Sequence, residues 1–241
     1  MRIALLGYGK MGKMVEHIAI ERGHEIVLKV DENNYSKITT EQLLQAEIAI
    51  EFSKPAVAVH HYQWCFEAGI PVVSGTTGWL DKWEEVMELC KKRNGSFFYA
   101  SNFSVGVNLF FQLNEYLAKL MSGFNAYHAH IEETHHIHKL DAPSGTAITL
   151  AEGILEHHKG YQEWALANEN DQWGVLPITA KREGEVPGIH SVWYQSSVDE
   201  IEIRHAAFSR EGFALGAVLA AEFLKGKKGV YGMKDMLKWR M

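Results

Sequence analysis

The chain has only two cysteines in 241 residues, Cys65 and Cys90, both inside stretches of helical spacing. Two such thiols make no disulfide framework, so a reducing compartment is expected. Net charge is −6, and no basic run is longer than Lys91-Lys92-Arg93. The lysines Lys225, Lys227 and Lys228 read as a solvated helix end. A nucleic-acid partner is therefore not expected. No apolar run approaches the roughly 20 residues that cross a bilayer, and the N-terminus opens straight into a strand pattern. The expectation is a cytoplasmic protein with no membrane partner and no leader. Internal repeats and low-complexity segments are missing too. So is any His-Glu-x-x-His pair, and neither cysteine lies near the histidine cluster described below. Glu132, His135, His136 and His138 are ligand-type side chains, but their spacing gives no reason to expect a metal. The remaining composition, 46% hydrophobic and 22% charged, is ordinary for a folded chain of one large domain or two modest ones.

Arg2-Ile3-Ala4-Leu5-Leu6 is a short continuous apolar run, as expected of a strand covered on both faces. It leads into Gly7-Tyr8-Gly9-Lys10-Met11-Gly12, after which Met14, Val15, Ile18 and Ala19 fall at helical spacing. A second strand, Glu25 to Val30, is closed by Asp31. G-x-G-x-x-G alone also fits a plain tight turn. Strand, glycines, helix, strand and terminal acid together form the dinucleotide fingerprint, in which the glycines admit a pyrophosphate and Asp31 holds the adenine ribose. Alternation then continues. Strands are expected at Ile48–Phe52, Ile70–Ser74 and Ser96–Ala100, and helices at Pro55–Ala68 and about 80–92. The fold class is therefore α/β, a doubly wound parallel sheet of Rossmann type. Ligands in such sheets bind beyond the carboxyl ends of the strands, where Gly7–Gly12, Phe52–Lys54, Gly75–Thr77 and Ser101–Phe103 lie.

After a long apolar helix ending near Met121 the pattern changes. Strands at 127–134, 178–182, 189–196 and 200–207, without full helices between most of them, read as an antiparallel α+β region. The stretch 161–174 has no clear assignment, and a last helix at 210–225 is free to return to the first domain. The expected boundaries are 1–106 plus 210–241 for a dinucleotide domain and 107–209 for an inserted substrate and oligomerisation domain.

The densest chemistry lies in Glu132 to Ala147. This segment holds three imidazoles, the Lys139 ammonium and three carboxylates just before Pro143-Ser144-Gly145-Thr146. Ser144 or Thr146 can cap a helix there, and its free N–H groups favour an anion. Histidines in polar runs are more often solvated than catalytic, but proton donors beside an anion cradle suit proton transfer on a small anionic molecule.

Glu133-Thr134-His135-His136-Ile137-His138-Lys139-Leu140-Asp141-Ala142-Pro143-Ser144-Gly145-Thr146-Ala147 resembles the signature E-x-H-H-x-x-K-x-D-x-P-S-G-T-A of the 4-hydroxy-tetrahydrodipicolinate (dihydrodipicolinate) reductase family. Gly75-Thr76-Thr77-Gly78, Asn102 through Asn108, Arg182-Glu183-Gly184 through Val186-Pro187-Gly188, and Ser209-Arg210 resemble further motifs of that family, so the likeness spans nearly the whole chain. It implies NADH- and/or NADPH-dependent reduction of a small cyclic imine dicarboxylate in lysine and diaminopimelate biosynthesis, by hydride transfer to C4 and then protonation. It also implies a homotetramer formed through the inserted sheet, whose strands such as Ile189 to Tyr194 read as aromatic and apolar on one face, a patch that self-association would bury. By resemblance His135 is the proton donor and Lys139 the second donor and a carboxylate contact. His136, Gly145 and Thr146 bind substrate, and His138 reads as structural. The cofactor residues implied are Gly7, Tyr8, Gly9, Lys10, Met11, Gly12, Asp31, Gly75, Thr76, Thr77, Ser101, Asn102 and Phe103. Where many relatives carry an arginine after the acid, Glu32 stands here. The glycine loop and the connection after Asp31 are also shorter, so dual use leaning towards NADH is expected. A related dehydrogenase of amino-acid metabolism and a nicotinamide-sensing module without turnover are rivals, and the His135-His136…Lys139 motif stands against both.

Overall fold

The computed structural model describes residues 1–167 and 173–237. The chain forms two compact units, Met1–Val105 with Glu211–Met241, and Gly106–Arg210. The first unit runs β1 (Arg2–Leu6), α1 (Lys10–Glu21), β2 (Glu25–Val30), α2 (Thr40–Leu43), β3 (Ile48–Glu51), α3 (Pro55–Ala68), β4 (Val72–Ser74), α4 (Trp83–Lys92) and β5 (Ser96–Tyr99). The second follows with α5 (Val105–Met121), β6 (His128–His135), α6 (Gly145–His157), β7 (Glu163–Leu166), β8 (Val175–Arg182), β9 (Ile189–Gln195) and β10 (Glu200–Ala206). The chain then returns to the first unit with α7 (Glu211–Leu224), β11 (Gly229–Tyr231) and α8 (Met233–Met236). Among the described residues no helix is long and apolar enough to cross a membrane.

The six strands of the first unit lie in the order β11-β5-β4-β3-β1-β2, and every pair is parallel. Ala4, Leu6, Ala49, Val72 and Phe97 bury one face against Tyr62, Phe66 and Trp79. Ile3, Leu5, Ile48, Ile50, Val73 and Phe98 bury the other against Val15, Ala19 and the small side chains Ala214, Ala217, Ala220 and Ala221 of α7. Burial on both faces explains why these strands read as apolar runs rather than alternating ones. The fold is the doubly wound one expected. Successive strands run outward from β1 in opposite directions, to β2 and to β3, so the crevice at the carboxyl ends of β1 and β3 is the topological switch point. The edge strand β11 went unread, because three residues with two exposed carry no periodic signal.

The second unit corrects the antiparallel expectation. Its sheet, β10-β9-β6-β8-β7, is mixed: β6 pairs with β8 and β7 with β8 in parallel, while β9 pairs antiparallel with β6 and β10. The reason is α6, which supplies the crossover that a parallel partner for β6 requires. Within the unassigned stretch lies β7, and residues 168–172 of that stretch fall outside the described residues. One sheet face, with Ala129, Ile131, Leu176, Ile178, Val192 and Tyr194, packs against Phe110, Ala118, Met121, Leu150 and Ile154. The apolar side of β9, expected to be free for self-association, is thus already covered. Its other side is mainly polar: Ser191 bonds Glu202 (2.8 Å), and Trp193 stacks on His130 with ring centroids 5.8 Å apart.

Candidate active site

In the second unit, β6 ends at His135. The two-residue period of a strand puts Glu133 and His135 on the same side. Both are buried, Glu133 completely. Glu133 Oε1 accepts from the backbone N–H of Ser144 at 3.0 Å and from the Arg182 guanidinium at 3.3 Å. Its Oε2 lies 2.7 Å from His135 Nδ1 and 3.8 Å from His190 Nε2. The His135 contact is close in distance, although the ring and the oxygen are not aligned as a hydrogen bond. Burial opposes charge on Glu133, but His135 and Ser144 outweigh it and hold the carboxyl down at about 2. Burial, with His135 beside it, pushes His190 down to about 4, so His190 is neutral near pH 7. Its Nε2 lies 3.1 Å from the Ser144 hydroxyl.

Ser144 also settles the helix start. Its hydroxyl caps α6 by accepting from Ala147 N at 3.2 Å. The N–H groups of Ser144 and Ala147 are therefore occupied, which leaves those of Gly145 and Thr146 in the first turn for an anion. A Cβ added at Gly145 would meet nothing within 4 Å, so that approach is open. Between β6 and α6 the loop is held by Arg182, which donates to the carbonyls of Lys139 (3.3 Å) and Asp141 (2.5 Å). Lys139 Nζ lies against both oxygens of Asp141 at 2.9 and 2.8 Å, and this pairing holds the Asp141 carboxyl below its usual range. His136 is half-buried, and the exposed His138 meets Glu185 at 3.2 Å.

Glu133, His135 and His190 bring three ligand-type atoms within 4.8 Å of one another. Two ligands held tetrahedrally by one zinc at about 2.0–2.2 Å stand roughly 3.3 Å apart. The 2.7 Å between His135 and Glu133 is closer than that and fits a direct imidazole–carboxylate contact.

In the first unit the rim at the switch point suits a dinucleotide. Gly7 has φ +103°, and a Cβ there would lie 2.2 Å from the Phe52 carbonyl, so only glycine fits. Gly9 precedes α1, which has neither a side-chain cap nor an acid in its first turn. A Cβ at Gly9 would meet nothing, so the helix start is open to a phosphate. Asp31 closes β2, its Oδ1 accepting from the N–H groups of Asn33 (2.8 Å) and Asn34 (3.1 Å). Glu32 pairs with Lys54 at 2.8 Å.

Several other candidate cofactor residues have engaged side chains. Tyr8 bonds Glu16, and Lys29 sits over its ring. Phe103 is buried beside Phe52 and Phe98. Asn102 accepts from Ser104 N at 2.9 Å. Thr76 is buried, donating to Glu51 at 3.0 Å and accepting from Ser53 N at 2.9 Å. These side chains shape the rim, and the backbone of Thr76 is itself engaged, its N–H with Ser74 at 3.3 Å and its carbonyl with Trp79 at 2.8 Å. Lys10, Thr77 and Ser101 are exposed, Met11 and Gly75 half-buried.

Two family models match the chain: dihydrodipicolinate reductase, N-terminus, over residues 1–103, and dihydrodipicolinate reductase, C-terminus, over residues 106–237. The chain belongs to the dihydrodipicolinate reductase family. It is 52% identical over 237 residues to the 4-hydroxy-tetrahydrodipicolinate reductase of Christiangramia forsetii, covering 98% of each chain. It is 35% identical to the enzyme of that name from Archaeoglobus fulgidus, over 99% of this chain and 100% of that one. The fold matches a dipicolinate-bound dihydrodipicolinate reductase from Paenisporosarcina sp. TG-14, with TM-score 0.78 at 22% identity over 98% of this chain and 99% of that one.

Within this family member the signature gathers into a single constellation: the Glu133 network, the Ser144 cap, and the loop carrying Lys139. The sequence reading missed His190 and the anchoring part of Arg182, because each reaches the cluster from another strand. It also missed Glu51. This buried carboxylate at the end of β3 accepts from Ser74 (2.7 Å), Thr76 (3.0 Å) and the N–H (3.0 Å) and hydroxyl of Ser53, and so ties together two rim segments. Three hydroxyl side chains, one on β4 and two in the loops after β3 and β4, gave no local signal of a shared partner.

Proposed function

We propose that this chain is an NAD(P)H-dependent 4-hydroxy-tetrahydrodipicolinate reductase, which reduces the dehydrated imine of its substrate to tetrahydrodipicolinate. The observation that carries the reading is the joint presence, in one unit, of an imidazole backed by a carboxylate, an ammonium, and two unspent N–H groups at a helix start. A dianionic substrate needs cations and oriented donors, and the electron-rich product of hydride addition needs an acid. When bound, the reduced nicotinamide supplies the hydride, received at C4 of the imine. His135 gives the proton, Lys139 assists and pairs with a substrate carboxylate, and Gly145 and Thr146 hold a carboxylate with His136 beside them. Gly7 to Gly12 and Asp31 hold the pyrophosphate and adenine ribose, and the backbone at 75–77 and 101–103 completes the rim. The reading predicts NADH oxidation that depends on imine freshly made by the preceding synthase. Oxidation indifferent to that substrate contradicts it.

The cofactor preference follows from charge. Asp31 is fixed at the end of β2, and Glu32 follows it, already neutralising Lys54. A 2′-phosphate there meets like charge, whereas a free hydroxyl finds an acceptor. Both cofactors should turn over, with kcat/KM favouring NADH by up to about tenfold, equivalent to about 1.4 kcal/mol. A kcat/KM for NADPH more than tenfold higher contradicts this assignment.

The same reading proposes a homotetramer and a cytoplasmic location. Among the described residues the helices of the second unit pack on the opposite sheet face from His130, Ser191 and Trp193, and an assembly through the latter face would be a polar interface with an aromatic centre. Light scattering at micromolar concentration should report four chains, and a monomer would exclude the assembly.

A further inference from the structure

Glu133 has no assigned part in the chemistry, yet among the described residues of the second unit it is the most enclosed charge. A carboxylate with no exposed surface is costly unless its oxygens are satisfied. Its two oxygens are used differently. Oε1 faces donors that cannot change role, the Ser144 backbone N–H at 3.0 Å and the Arg182 guanidinium at 3.3 Å. Oε2 stands 2.7 Å from His135 Nδ1, off the line of a hydrogen bond, so its hold on that nitrogen comes from the proximity of its negative charge. The remaining charges around His135 are already matched. Arg182 on β8 is paired with Glu133, Lys139 in the loop is paired with Asp141, and His190 on β9 is neutral.

We propose that Glu133 is a positioning residue: its Oε2 keeps a proton on His135 Nδ1, so that Nε2 is the nitrogen that delivers a proton to the substrate. The same carboxylate fixes the start of α6 through Ser144. Through Arg182 it also fixes the carbonyls of Lys139 and Asp141, so donor, anion cradle and ammonium share one anchor. Gly188 packs behind the ring, where a Cβ would stand 3.1 Å from Nε2, so little room exists for the imidazole to turn over. This assignment rests on the reading of His135 as the proton donor.

Glu133→Gln tests it, because the amide cannot orient freely. Its oxygen must remain with Ser144 N and Arg182, which are obligatory donors, so its NH2 replaces Oε2 and faces His135 Nδ1. A donor there turns Nδ1 into an acceptor and moves the proton to Nε2, the wrong tautomer for a group that must be re-protonated between turnovers. A tautomer error of this kind costs up to about 10⁴ in kcat in a serine-protease triad. The expected loss here is about 10²–10³ in kcat, with the KM for NADH unchanged. The direct readout is ¹⁵N NMR of histidine-labelled protein without substrate. Wild type should show His135 protonated at Nδ1, and Glu133→Gln should show the proton on Nε2. The NMR result does not depend on turnover, so it separates the two claims. If His135→Gln keeps normal turnover, the proton-donor reading falls whatever the tautomer. If His135→Gln is impaired but wild-type Nδ1 carries no proton, or Glu133→Gln keeps the wild-type tautomer and kcat, the positioning proposal is overturned. The wild-type spectrum alone decides the point should Glu133→Gln fail to fold.

Discussion

Replacing His135 by glutamine should lower kcat by about 10²–10⁴, the range for loss of a positioned acid, and change the KM for the imine by much less. The imidazole lies at the carboxyl end of β6, buried, with Glu133 Oε2 2.7 Å from Nδ1 and Gly188 packed near Nε2. Such a ring is held in one orientation before substrate arrives, and its proton is needed only as charge builds after hydride addition. An interaction made mainly in the transition state shows in kcat. Glutamine keeps approximate size and polarity but has no transferable proton at neutral pH. Binding of NADH, measured by calorimetry, should be unchanged, since the contacts proposed for it belong to the first unit. Near-normal turnover would make His135 a structural residue.

Lys139→Met should lower kcat and also raise the KM for the imine, by about tenfold or more in each, because a charge-assisted contact to a carboxylate is worth about 1.5–3 kcal/mol. The ammonium is held by both oxygens of Asp141, while Arg182 pins the backbone of the same loop. The pairing is a surface one and weak, so a substrate carboxylate can compete for the ammonium at little cost. Methionine keeps most of the length of the side chain and removes the charge and the donors. A rise in KM without a fall in kcat would confine Lys139 to binding. Normal values for both would remove it from the site.

How much of this was legible depended on whether the relevant partners were near in sequence. The β1–glycine–α1–β2 unit declared itself, because a covered strand, a steric need for glycine at Gly7 and an acid at the end of β2 all fall within some thirty residues. The cap at Ser144 was one of two candidates for the same reason: a cap bonds its own next turn. Strand direction was not legible. Nothing in the composition of β8 says that it lies parallel to β6, and β7, with four residues, is too short to stand out. The Glu133 cluster lay between these cases. Its own residues stood in the signature, but His190 and Arg182 arrive from β9 and β8, and only the sheet brings them together. The expectation of a free apolar face on β9 failed because alternation shows that a strand has two faces without showing which one the helices cover.

The central claim is direct hydride transfer to C4 of the imine with a protein acid completing the reduction. Turnover with NADH carrying deuterium at both C4 positions of the nicotinamide, using fresh substrate in ordinary water, tests it most directly. The tetrahydrodipicolinate formed should carry one deuterium, at C4, by mass spectrometry and NMR. Product with no deuterium, or with deuterium at another carbon, would contradict the assignment.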